Sequence, residues 1–202
     1  MQKISKWAQR LAVGLALAAC VGTALADYQT LLSRAKAGDQ PAQLELGRAY
    51  MYGYDGAPKN SLEAVRWLAR AQKAGGDYGR AATVNLGILY GRRSFGQPNG
   101  ATAVKLLEGV ARGSDMSGKM ARYNLAALYH VPSSEATIPT NFDKALFWYF
   151  AAQASGAPEA PGSGVDAQTA RSIRQLMAES SESAVEIRGH AIEWVRKAEG
   201  RR

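Results

Sequence analysis

The chain has 202 residues, 47% of them hydrophobic, with a formal net charge of +8, a single cysteine and two histidines. That length suits one domain of ordinary size with its own core, and one cysteine excludes an internal disulfide framework. So few cysteines and histidines also leave no material for a zinc cluster or a Cys-x-x-Cys redox site.

The first segment, MQKISKWAQRLAVGLALAACVGTALA, sets Lys3, Lys6 and Arg10 ahead of an apolar run and places small residues at Ala24 and Ala26. This pattern predicts a secretory signal peptide over 1–26. The apolar run falls far short of the roughly 20 residues that a membrane span needs. Cleavage after Ala26 would remove three basic residues and no acidic one, taking 25 basic and 17 acidic residues to 22 and 17, a net +5 on 176 residues. Leu17-Ala18-Ala19-Cys20 offers a competing processing site, similar to the lipobox of bacterial lipoproteins, in which Cys20 would carry lipid. The two readings exclude each other, and the short run before Cys20 together with a helix predicted almost directly after Asp27 favours Ala26. Either way the expected destination is the bacterial cell envelope: the periplasm after cleavage near Ala26, or an anchored lipoprotein, membrane contact being expected only if Cys20 is lipidated. A mild, dispersed positive charge in that compartment argues against nucleic acid as a partner.

Residues 27–40, beginning DYQTLLSRAKAGD, read as a helix with Leu31, Leu32 and Ala35 ahead of Gly38, and are predicted to cap the first repeat. From there the chain repeats. Ala42, Leu46, Gly47 and Tyr50 recur as Ala82, Leu86, Gly87 and Tyr90, then as Ala121, Leu125, Ala126 and Tyr129, at intervals of 40 and 39 residues. Alanine, leucine and tyrosine stand at i, i+4 and i+8, one stripe along a helix, which predicts a buried face. A mid-helix glycine costs about 1 kcal/mol relative to alanine, so its recurrence at a small-residue position predicts a close inter-helix contact.

A second helix follows each first one. Ala64, Trp67, Ala71 and Gly75 correspond to Ala145, Trp148, Ala152 and Gly156, while the middle copy keeps Ala103 and Leu106 and has no tryptophan. Gly75, Gly156 and Gly113 are expected to close these helices in the left-handed conformation, and Asn60 and Asn141 to cap their starts. The turn-rich segments YDGAPKNS, RRSFGQPNG and VPSSEATIPTN connect first and second helices. Beyond the repeats come a linker over 158–165 and two helical stretches over 166–202, the first lined by Ile173, Leu176 and Met177 and the second by Val185, Ile187, Ala191, Ile192 and Val195. Terminal repeats need such covers.

The pattern Ala-x-x-x-Leu-Gly-x-x-Tyr-x-x-Gly, a variable loop, then Lys-Ala-x-x-Trp-x-x-x-Ala and a closing glycine resembles the Sel-one-like repeat family, related to the tetratricopeptide repeat. The resemblance spans about 41–157, with Arg93 and Pro132 standing where the loop glycine is expected in the second and third copies. It implies an all-α fold, an α-solenoid of about three helix-turn-helix repeats with N-terminal and C-terminal capping helices. It also implies a scaffold for protein interactions. Some secreted, cysteine-rich members are reported to bind or hydrolyse β-lactams, and this chain lacks their cysteines.

Stacked helix pairs line a concave surface with their first helices. Positions beside the buried stripe are therefore the expected partner-binding residues: Gln43, Glu45, Arg48 and Met51, then Thr83, Asn85 and Ile88, then Arg122, Asn124 and Ala127, with His130 at the loop edge. No His-Glu-x-x-His pair, phosphate loop or Gly-x-Ser-x-Gly elbow is present. No catalytic residue, metal or cofactor is predicted. The function expected is a non-catalytic scaffold or adaptor for another envelope or secreted protein. The alternatives are an immunity protein that neutralises a periplasmic toxin such as a secreted lipase, and a small hydrolase.

Overall fold

The computed structural model describes residues 27–130, 137–154, 171, 174–180 and 182–200. The signal segment with Cys20, Pro132, Gly156, the 158–165 linker and Ile173 lie outside the described residues. Among the described residues there is no strand, and the all-α fold of helix-pair repeats expected from the sequence is observed. No helix among them is long and apolar enough to cross a membrane. The chain divides into two compact units, one ending at Ala71 and the other starting at Gln72.

The first unit contains α1 (27–36), α2 (Gln40–Tyr52) and most of α3 (Ser61–Ala74). Helix α2 starts because Asp39 accepts from the Ala42 N–H at 3.2 Å while Pro41 presets the first turn. It stops at Gly53, whose φ of 78° is cheap only for glycine, and the Gly53 N–H returns to the Ala49 carbonyl. Ala42, Leu46 and Tyr50 face inward as their spacing requires, with Ala64, Trp67, Leu68 and Ala71 opposite them. A buried leucine or tryptophan side chain contributes about 1.5–3 kcal/mol, so this apolar seam is the unit's main cohesion. Helix α1 covers it through the Tyr28 hydroxyl, 2.6 Å from that of Tyr50, and the rings meet edge-on. Burial, reinforced by the Tyr28 hydrogen bond, pushes the Tyr50 phenol up to about 12.

The second unit contains α4 (Gly76–Gly91), a short 3-10 turn (Arg93–Phe95), α5 (Gly100–Ala111), α6 (Met116–His130), α7 (Phe142–Ala154), α8 (174–179) and α9 (Ala184–Ala198). Helix α4 packs on α5 and α6, α5 on α6, α6 on α7, and α7 on α9. Leu107, Leu125, Leu128, Leu146, Trp148, Tyr149 and Ile187 belong to one continuous core. The C-terminal cover is thus α9 seated on α7, with Ile187, Ala191 and Val195 buried and Val185 and Ile192 left exposed.

Each repeat closes in the same way. The carbonyl of the stripe tyrosine accepts from the backbone N–H of the asparagine that starts the next helix: Asn60 to Tyr50 at 2.8 Å, Asn99 to Tyr90 at 2.9 Å, Asn141 to Tyr129 at 2.9 Å. Each asparagine side chain then caps its helix, accepting from Glu63, Thr102 and Lys144 respectively. Asn99 does so although its copy lacks the tryptophan. The stripe glycine fits against a leucine of the same repeat: a Cβ on Gly47 would stand 2.6 Å from Leu68 Cγ, and one on Gly87 2.6 Å from Leu107 Cγ. The close contact expected there is therefore between the two helices of one pair.

Two loop expectations are corrected. Gly113 does not close α5 in the left-handed conformation, and its counterpart Gly75, although its φ is 77°, lies outside the left-handed helical region at ψ −159°. A side chain on Gly113 would displace the Arg80 guanidinium from its place beside Asp115. Arg93, where a loop glycine was expected, is accommodated because α4 ends earlier, at an extended Arg92, and the 3-10 turn is closed by Gly96 at φ 73°. In the enlarged third loop, Thr137 turns back to donate to the Gly91 carbonyl at 3.1 Å, and Ile138 packs on the core.

Candidate partner-binding face

In the first unit, Arg48 is exposed on α2 and lies 3.5 Å from Glu45, one turn earlier. Glu45 also accepts from the Tyr54 hydroxyl at 2.7 Å, and burial together with that carboxylate raises the Tyr54 phenol. Arg48 therefore presents a guanidinium to solvent from a braced base. Met51, expected beside it, is instead 1% exposed and part of the core.

In the second unit, α4 and α6 lie side by side, and their repeat-equivalent asparagines adopt one geometry. Asn85 Nδ2 donates to the Ala81 carbonyl and Asn124 Nδ2 to the Met120 carbonyl, both at 2.8 Å and both four residues back. They differ in access. Asn85 is 8% exposed, whereas Asn124 opens into a cleft with Gly87, Ile88, Gly91, Arg92 and Ala127. The cleft holds about 20 Å³, room for about one water, and its walls are mainly apolar. Met116 and Met120 continue the Asn124 row along α6 and are exposed, supplying adaptable apolar surface next to the cleft. His130, at the end of α6, is half-buried with its ring edge-on to Tyr149 at 6.4 Å.

Arg122 is not on this face. Its side chain is fully buried, donating through Nε to the Ala111 carbonyl at 2.8 Å, through Nη2 to Gly113 at 3.0 Å, and through Nη1 to Glu199 at 3.0 Å. The guanidinium collects the carbonyls at the end of α5, where the helix dipole favours a cation, and binds the end of α9 to them. A side chain without exposed surface offers nothing to a partner, so Arg122 is a structural residue.

Gln43 and Thr83, also expected to read a partner, are corrected with it. Gln43, Thr83 and Arg122 share one register position, and each ties its helix to the preceding one: Gln43 to the Ala35 carbonyl, Thr83 to Gln72, Arg122 to Ala111. A second polar tie was also missed. Arg80 on α4 grips Asp115 with Nε and Nη2, both at 2.8 Å, while Asp115 caps α6 by accepting from Gly118. The Arg80 hydrogen bond, and the Gly118 N–H after it, hold the Asp115 carboxyl below its ordinary value of 3.8 against the opposing effect of burial.

The family model described as Sel1 repeat matches residues 40–75, 80–108 and 119–152. This chain belongs to the Sel1 repeat family. No curated protein matches it. The three Sel1 matches fall on α2 with α3, on α4 with α5, and on α6 with α7, the pairs that the Tyr-to-Asn closure defines. Sel1 repeats mediate protein–protein interaction and are typically non-catalytic modules. The exposed Arg48 and Arg92 and the half-buried Ile88, Asn124 and Ala127 are thus candidates for contacting another protein.

Proposed function

We propose that this Sel1-repeat chain is a non-catalytic adaptor of the bacterial cell envelope, holding another envelope or secreted protein against the α4–α6 face. The observation that carries the reading is the cleft at Asn124. It is a shallow, mainly apolar depression rimmed by the exposed Arg92, which suits surface contact with a small apolar group of a partner flanked by a carboxylate. The basic, apolar, small-residue order of residues 1–26 supports export, with cleavage near Ala26 or lipidation at Cys20.

The test is affinity purification from envelope extract with mass spectrometry of the retained proteins, comparing the unmodified protein with an Arg92→Glu, Asn124→Arg variant. Several structural envelope components, all lost in the variant, are the expected result. One tightly held toxin-like enzyme, inhibited on binding, would replace the adaptor with an immunity protein using the same face. Identical retention by both proteins would refute the α4–α6 face.

A further inference from the structure

A second concave feature lies away from the first helices, between the second helices α5 and α7 and the C-terminal α9. It is a groove of about 510 Å³ lined by Val104, Lys105, Glu108, Gly109 and Arg112 from α5, Trp148 from α7 and Trp194 from α9. That volume lies within the range of about 300–1,000 Å³ typical of ligand sites. We propose that it docks an acidic segment of a partner protein, an extended peptide with a proline or aromatic residue on the tryptophans and carboxylates on the α5 wall.

The tryptophans are fixed in advance. Trp148 and Trp194 meet edge-to-face with centroids 5.1 Å apart, and Phe147 closes the cluster at 5.1 Å from one and 6.1 Å from the other. The buried Arg122 guanidinium lies 5.5 Å from the centre of the Trp194 ring. Rings held so firmly lose little freedom when a ligand stacks on them. Trp148 is nearly buried, while Trp194 keeps part of its surface in the groove.

The α5 wall sets the charge. Lys105 and Arg112 are exposed there, and neither side chain has an ion pair or hydrogen bond among the described residues. Glu108 is the one acid of the lining, so two cations face one anion. Two indoles could otherwise receive an organic cation, but this balance opposes one and favours carboxylates.

Gly109 keeps the wall low. Gly47 and Gly87 make room for a leucine, whereas a Cβ on Gly109 would have nothing within 4 Å. A bare helix position costs about 1 kcal/mol of helix stability, and no contact within the described chain accounts for it. On the groove wall it lets an incoming chain approach the α5 backbone.

The experiment titrates the purified protein with acetyl-Glu-Asp-Phe-Pro-Asp-Glu-amide, which has no tryptophan, and follows the protein's tryptophan emission. The expected result is a saturable change that a lysine-substituted version of the peptide does not produce. Gly109→Leu, which fills the groove, and the double variant Lys105→Glu, Arg112→Glu are each expected to weaken binding at least about tenfold, equivalent to about 1.4 kcal/mol. Gly189→Leu serves as the control, because Gly189 on α9 also has open space at its Cβ yet does not line the groove; it is expected to bind normally. Absence of binding by the acidic peptide, or equal binding by the Gly109→Leu protein, overturns the proposal. So would competition by free phenylacetate as strong as the peptide's own binding, since the site would then be one for small molecules. Arg92→Glu is expected to leave the titration unchanged, so this groove and the α4–α6 face stand or fall separately.

Discussion

Replacing Gly87 by alanine sets two opposing effects against each other, and the structure decides which wins. Alanine gains about 1 kcal/mol in helix propensity over glycine. Its methyl group, however, would stand 2.6 Å from Leu107 Cγ and 2.7 Å from Cδ2, well inside the roughly 3.5–4.0 Å of a good carbon contact. Cγ is the branch point of a fully packed side chain, so relief requires α4 and α5 to separate, and overpacking of this kind costs about 1–3 kcal/mol. The net expectation is a loss of about 0–2 kcal/mol. The stronger test is the same change in a Leu107→Ala background, which itself costs about 2–5 kcal/mol. There the colliding atoms are gone, and Gly87→Ala should stabilise by about 1 kcal/mol. Urea unfolding of the four proteins, followed by far-UV circular dichroism, measures the coupling, expected at about 1–3 kcal/mol. Equal effects of Gly87→Ala in both backgrounds would refute the reasoning and mean that the glycine serves something other than the contact with Leu107.

Arg122→Met should cost about 3–5 kcal/mol because it strands the buried Glu199, and it should make α9 susceptible to limited proteolysis; adding Glu199→Leu should recover most of the loss. Asn99→Ala should destabilise by about 0.5–2 kcal/mol through loss of the α5 cap, read as a lowered thermal midpoint. Asp115→Asn keeps a good capping residue and removes only the pairing with Arg80, whose two side chains are 36% and 38% exposed, so the loss near neutral pH should be at most about 1 kcal/mol. Because the folded carboxyl titrates below its ordinary 3.8, its contribution is complete above that value and disappears as pH falls through the lower folded value. Denaturation curves of the two proteins should therefore converge only below about pH 4.

Much of the fold was legible because repetition averages out local ambiguity. One helix with leucine, glycine and tyrosine at fixed offsets is a weak signal, but three at intervals of 40 and 39 residues identify the buried stripe and its pairing. The asparagine caps at Asn60 and Asn141 were legible for the same reason, whereas Asn99, in the degenerate copy, was missed. The features that escaped were decided by contacts distant in sequence. Gly113 looked like a helix stop because glycine often is one, yet its constraint comes from Arg80, more than thirty residues earlier on another helix. Gly53 and Arg93 occupy one register position, and α4 accommodates the arginine by ending early and adding a 3-10 turn closed at Gly96.

The candidate site was half legible, because periodicity assigns a residue only to a sector of the helix, and a position at the edge of the stripe can face solvent or the preceding helix. At Arg122 the choice went inward because unpaired carbonyls at the end of α5 and a carboxylate on the far α9 were both within reach of one guanidinium. Asn124, two residues on, went outward, and its remaining chemistry derives from the bond that it makes. One of its two amide N–H donors is committed to Met120, which leaves the other N–H and the amide oxygen for a partner. Arg92 on the same rim is purely a donor. A partner that satisfies both brings a backbone amide or hydroxyl to Asn124 and a carboxylate or carbonyl to Arg92, with its apolar group against Ile88 and Ala127 between them. Arg92→Glu together with Asn124→Arg reverses the charge at one side of the cleft and crowds the other, so a partner held by this pattern should lose more than either single change predicts from its own contact.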